Sequence, residues 1–187
     1  SSEARGLRWE DIDLTTATVT IRQRADKYGI IGMPKSEAGQ RTIPLPPIVV
    51  NTLKEWKLAC PQSHLGLVFP NSAGNIENHQ NMLTRGLWVA EIAAGVSIQT
   101  DKTDADGNPT IKAKYSGFHA LRHWYASWCI NRKADGGLEL TPKAVQSRMG
   151  HSSIQVTFDT YGHLFPSLDE GAELAAAEKA LFAINAT

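Results

Sequence analysis

Gly150-His151-Ser152-Ser153 and, after residues 154–159, Thr160-Tyr161-Gly162-His163-Leu164 form the stretch on which the fold is read. Pro142, upstream, suits the first turn of a helix, where its fixed φ fits and its missing N–H costs nothing. That helix ends near Gly150, and a second short one covers residues 154–160. His151 therefore lies at a helix junction and Tyr161 at a helix end. Residues 118–132 predict a longer helix with Leu121, Tyr125, Trp128 and Cys129 as its apolar face. His119 and Arg122 are three apart on it, so they share a face and can meet one phosphate.

Further out, residues 78–94 predict a helix with Met82, Leu83, Leu87 and Ile92 on one side. Residues 48–59 predict another, begun by Pro46-Pro47 and stopped by Pro61. Residues 3–7 read as the last turn of a helix. β-Branched residues alternate over 16–21, and short strands are expected at 30–33 and 41–45, the three making a small antiparallel sheet. Between the last two lies the polar turn Lys35-Ser36-Glu37-Ala38-Gly39-Gln40, from which a long amine can project away from the sheet. Residues 100–110 read as a solvated loop or hairpin tip. The tail, 168–184, carries Leu174, Ala177, Leu181 and Ile184 at helical spacing and reads as an amphipathic helix seeking a groove. The expected fold class is α+β, mainly α, with a small three-stranded antiparallel sheet near the N-terminus. The expected division is a domain over 1–166 and a tail helix over 167–187.

Composition sets outer bounds. With 187 residues, 42% hydrophobic and 20% charged, the chain can bury a sizeable core. No apolar run reaches membrane-spanning length and no signal pattern opens the chain, so no membrane partner is expected. Cys60 and Cys129 lie far apart, which argues against a disulfide framework or a thiolate zinc site and suits a reducing cytoplasm. A formal net charge of zero gives nucleic-acid binding no support, which must then come from local motifs. Two metal readings fail on spacing. Aligned on Gly107, the Asp-rich run at 100–110 puts Lys102 and Ala113 at the first and last ligand positions of an EF-hand. His119 and His123 have the i, i+4 spacing of a zinc helix, but Ala120 stands where HExxH needs its glutamate. No metal and no cofactor is expected. Trp9, Trp56, Trp88, Trp124 and Trp128 read as core. The chain opens on Ser1 rather than Met, as a piece of a longer protein would.

The remaining motifs act as a set. Glu3-Ala4-Arg5-Gly6-Leu7-Arg8-Trp9-Glu10-Asp11-Ile12-Asp13 resembles the E-x-x-x-L-x-W-x-D-I-D opening of tyrosine recombinases, the phage-integrase family. Lys35 resembles their sheet lysine, followed by the R-T-I-P-L strand at residues 41–45. His119-Ala120-Leu121-Arg122-His123 is similar to their H-x-x-R box, and the opening stretch to their G-H-S-S and nucleophilic T-Y-x-H-L segments. Singly, each residue has a plain reading: Tyr161 as packing, His151 as a cap, Lys35 as a solvated turn residue, Arg122 as half of a surface ion pair. Independent packing needs do not produce five segments in family order.

The resemblance implies a catalytic domain that cuts and rejoins DNA. Tyr161 would form a covalent 3′-phosphotyrosine, releasing a 5′-hydroxyl, and a partner strand's 5′-hydroxyl would reverse the step without ATP or metal. A phosphodiester repels nucleophiles and gains charge in its transition state, a task for a guanidinium that donates paired hydrogen bonds; this role goes to Arg122. A phenol ionises near pH 10 in water, so it needs cations or a base; His119 is assigned as base or hydrogen-bond partner. Lys35 is assigned as general acid and His151 as phosphate ligand. Arg24, Arg41, Arg85, Lys112 and Lys114 are expected as further DNA contacts. The family's first catalytic arginine falls immediately before Ser1, so the chain alone is expected not to turn over. Implied partners are a double-stranded DNA recombination site, further copies forming a tetramer on it, and accessory DNA-bending proteins; the tail helix is a candidate contact between copies, the alternative being that it packs in its own subunit or frays. The implied task is prophage or mobile-element integration and excision, in the cytoplasm of a bacterial cell. The alternatives are type IB topoisomerase-like relaxation and a non-catalytic DNA-binding or assembly module.

Overall fold

The computed structural model describes residues 1–165 and 170–184. It opens on α1 (Ser2–Gly6). Asp13 accepts hydrogen bonds from the backbone N–H of Thr15 (2.8 Å) and Thr16 (2.9 Å), which tightens the turn laying β1 (Ile12–Asp13) antiparallel on β2 (Thr18–Ile21). Asp26 does the same for Tyr28 and Ile30 (2.9 Å each), and Gly29 takes φ +81° beside it. This turn folds β4 (Ile31–Gly32) back on its own neighbour, β3 (Arg24–Ala25). β5 (Arg41–Pro44) pairs with β2, Val19 opposite Ile43. The three-stranded antiparallel sheet thus exists in the order β1-β2-β5. Its membership corrects the sequence reading: β1 takes the place expected for residues 30–33, because the Asp26 turn diverts that segment into a separate hairpin.

Pro47 starts α2 (Pro47–Ala59), which buries Val50 and Leu53, and Trp56 donates from Nε1 to the Val68 carbonyl (2.6 Å). The next helix is expected as one piece and is three: α3 (His79–Asn81), a π-helical stretch over Met82–Leu87, and α4 (Trp88–Ala93), with Leu83 and Leu87 buried. Glu91 is buried and accepts from the N–H of Tyr115 (2.9 Å), anchoring the end of the hairpin that follows. That hairpin, β6 (Ser97–Thr103) with β7 (Pro109–Ala113), absorbs most of the expected loop. Its tip is turned by Asp104, which accepts from Asp106 and Asn108, and by Gly107 at φ +81°.

Three helices carry the main core. α5 (His119–Ile130), α6 (Pro142–Met149) and α7 (Ile154–Tyr161) bring together Ala126, Cys129, Ile130, Val145, Met149 and Tyr161. Thr141 and Ser153 cap α6 and α7 by accepting from Ala144 and Val156, and Gly150 ends α6 at φ +68°, where a side chain would be strained. Two readings of α5 change. Leu121 is half exposed, because the buried stripe runs through Ala126, Cys129 and Ile130 and leaves it on the outer side. Trp124 is 64% exposed, stacked at 6.0 Å and 8° on Trp128 rather than in the core.

The tail forms α8 (Glu170–Ile184), on which Leu174, Leu181 and Phe182 are exposed. The side chains of Ala177 and Ile184, and the expected boundary at 166/167, lie outside the described residues. Among the described residues no helix is long and apolar enough to cross a membrane.

Candidate active site

Tyr161 is fixed by the core before any chemistry is considered. Its residue is 4% exposed, and its ring is stacked on that of His151 at 6.2 Å and 10°. Its hydroxyl lies 3.0 Å from Nδ1 of His123. His151 is held in turn, Nδ1 lying 2.9 Å from the hydroxyl of the fully buried Thr157. Arg122 crosses to the end of α6 and donates from Nη2 to the Met149 carbonyl (2.6 Å). That bond sets the plane of the guanidinium. Among the described residues, its Nε and Nη1 donors meet no protein acceptor, so an anion can take them.

A cleft of about 560 Å³ gathers much of the expected set: Lys35, His119, Arg122 and Arg24 line it, with Gly150 and Glu3. Lys35 is exposed on its turn, as is His119 at the start of α5. The Nε of Arg24 is buried without a hydrogen-bond partner, an unmet donor beside the cleft. Tyr161 and His151 are not lining residues, although Gly150 precedes His151 and the Arg122 charge acts on Tyr161. A larger hollow of about 740 Å³ over β2, β4 and β5 holds none of the five expected catalytic residues.

Arg41, expected as a DNA contact, is turned inward. Its side chain is 8% exposed and grips Glu3 through two bonds (3.0 and 2.8 Å), the Gly39 carbonyl (2.8 Å) and the Arg148 carbonyl (2.9 Å). It ties α1, the Lys35 turn and the end of α6 together. A Cβ on Gly150 would stand 3.0 Å from Arg41 Nη1 and from the Ala38 carbonyl, so a glycine eases the close approach of these segments. Arg85, Lys112 and Lys114 are exposed and lie outside the cleft lining; Lys114 rests over the Tyr115 ring (5.6 Å).

Burial raises the Tyr161 hydroxyl above the ordinary phenol value, while the Arg122 charge pulls it down. Arg122 is lowered by burial and by Arg41, with Glu3 and Tyr161 opposing. Burial, then Arg122 and Arg41, lower His151 and favour its neutral form. A neutral His151 can hydrogen-bond a phosphate oxygen but brings it no charge.

One residue at the site carried no role in the sequence reading. His123 stands in the quoted box, yet only its spacing to His119 was weighed, as a zinc pair. Their rings meet edge-on at 5.9 Å, but it is His123 that reaches the tyrosine. Its place one turn beyond His119, directly after Arg122, was the available signal. Among the described residues no three His, Cys, Asp or Glu side chains cluster as metal ligands would.

The Phage integrase family model matches residues 1–167, and the chain belongs to that family. It is similar to a XerC-like tyrosine recombinase of Caldanaerobacter subterraneus subsp. tengcongensis, 28% identical over 88% of this chain and 42% of that protein. It is also similar to the prophage integrase IntR of Escherichia coli K12, 25% identical over 86% of this chain and 39% of that one. The chain thus spans about two fifths of the length of these curated relatives. Among solved structures it shares the fold of the Tn1549 transposon integrase in complex with a circular intermediate DNA, with a TM-score of 0.63 and 21% identity over 96% of this chain and 54% of that one.

Proposed function

We propose that this chain is the catalytic region of a site-specific DNA recombinase that breaks and rejoins strands through a 3′-phosphotyrosine at Tyr161. The observation that carries the reading is the Tyr161 hydroxyl, held by packed helices within the field of Arg122, beside a cleft bearing Lys35, His119 and the unmet donor of Arg24. In this reading the free donors of Arg122 take the non-bridging oxygens of one phosphate, and their charge favours the phenolate. Lys35, exposed and without an acidic partner among the described residues, gives its proton to the departing 5′ oxygen. When the Thr157 hydroxyl donates to His151 Nδ1, Nε2 carries a hydrogen for the same phosphate. Arg24 adds a contact from the cleft wall. Arg85, Lys112 and Lys114 meet DNA phosphates further along, and Arg41 serves as the tie that shapes the pocket.

The relatives named above support double-stranded DNA as the partner and integration or excision of a prophage or mobile element as the task. Assembly as a tetramer on the DNA, with accessory DNA-bending proteins, in the cytoplasm, completes the proposal. The exposed Leu174, Leu181 and Phe182 of α8 supply the apolar surface for contact between copies. The test is a nicked suicide duplex, which loses its leaving strand on cleavage and traps the adduct. Full-length protein forms a covalent protein–DNA species that Tyr161→Phe abolishes while retaining binding. Binding without adduct in the unmutated protein overturns the reading in favour of a non-catalytic module. Relaxation of supercoils without strand exchange assigns it to topoisomerase-like chemistry.

A further inference from the structure

Resemblance offers His119 as the group that relieves the nucleophile of its proton, but the structure separates two histidine positions along α5. His119 lines the cleft, where a phosphate would enter, and among the described residues no hydrogen-bond partner faces its ring. His123, one turn on, places Nδ1 3.0 Å from the Tyr161 hydroxyl, its ring 5.7 Å away and inclined at 61°. That distance is within proton-transfer reach. The tyrosine ring is held near this contact by the His151 stack and by its place in the core cluster. The hydroxyl also needs help, because burial raises it against ionisation.

We propose that His123 is a further catalytic residue, the proton acceptor for Tyr161. This rests on the recombinase reading above. As the Tyr161 oxygen bonds to phosphorus, its proton passes to His123 Nδ1. The bond from phosphorus to the 5′ oxygen breaks, and that oxygen takes the proton of Lys35. On rejoining, the incoming 5′-hydroxyl loses its proton to Lys35, the phosphotyrosine bond breaks, and His123 returns a proton to the phenol oxygen. His119 is then free to serve the phosphate. The other charged or titratable groups around the pair are Arg122 and His119 on α5 and His151 at the start of the α7 segment.

Single-turnover adduct formation by the full-length protein on the nicked suicide duplex tests this. His123→Ala and His123→Asn are each expected to slow adduct formation by about 10²–10⁴-fold, the range of general acid–base catalysis. DNA binding should stay unchanged in both, and the melting temperature should hold in His123→Asn, which still partners the buried hydroxyl, while His123→Ala lowers it somewhat. The asparagine is the decisive variant, since its side chain can hold the hydroxyl from the Nδ1 position but cannot take its proton. In His123→Ala, a fluorinated tyrosine at position 161, which ionises more readily, should recover about tenfold or more of the lost rate. Adduct formation at the unmutated rate in His123→Asn, or no recovery with the fluorinated tyrosine, overturns the proposal and leaves His123 a positioning residue. Absence of adduct in the unmutated protein instead overturns the recombinase reading itself.

Discussion

The two sides of the cleft are built by opposite means. Tyr161, Arg122 and His151 are held by a buried core, a 2.6 Å bond to the Met149 carbonyl and a ring stack. Lys35 rides an exposed turn with no partner among the described residues, and the scaffold of that turn is the buried Arg41. The difference teaches that the proposed nucleophile and phosphate ligands are located by packing, whereas the proposed proton donor is located only through its turn. Substitutions on one side should therefore couple activity to stability, and on the other should separate them.

The largest expected effect lies in rates. Arg122→Ala should slow adduct formation by about 10²–10³-fold, the cost of removing one preorganised transition-state donor. It should also lower stability, because the Met149 carbonyl loses its partner. Lys35→Ala should slow cleavage by about 10²-fold or more. Its unfolding free energy in urea should stay within about 0.5 kcal/mol of the unmutated protein. A stability loss in Lys35→Ala as large as that in Arg122→Ala would break the comparison. Next comes Arg41→Ala, expected to cost about 2–3 kcal/mol in the same titration. This is below the 3–5 typical of a fully buried pair, because Glu3 remains over a third exposed.

Gly150→Ala follows at about 1–2 kcal/mol, from its left-handed φ of +68° and its crowding against Arg41. The smallest effect is on pH dependence. The folded-state value of His151 lies below its ordinary 6.5, so the unfolded chain binds the proton more readily. Stability from this group is whole above pH 6.5 and is lost as pH falls through the folded value. Melting temperatures between pH 8 and pH 5 should fall less steeply in His151→Gln than in the unmutated protein.

Much of this was legible in the sequence because it depends on local spacing. The α6–glycine–α7 pattern, the Pro47 start and the pairing of His119 with Arg122 on one face follow from neighbours a few residues apart. The sheet membership was not legible, since it turns on whether Asp26 accepts two backbone bonds and folds its segment into a private hairpin. The inward setting of Arg41 was not legible for a related reason. A lone arginine on a strand gives no hint that Glu3 waits 38 positions away. Leu121 was placed with Cys129 on one apolar face and Trp124 in the core, while the stripe actually buried runs through Ala126, Cys129 and Ile130. The tyrosine's partner was hidden in plain view: two histidines one turn apart look alike in sequence, and only the position of α7 distinguishes them.

Because the ring of Tyr161 is part of the packed interior, its oxygen is not an independent moving part. A close-packed core resists rotation of one member without displacement of its neighbours. In the recombinase reading, any control over when this residue reacts must therefore act as a lever on the whole α7 segment, with Thr157 and the His151 stack carried along, rather than as a flick of one side chain.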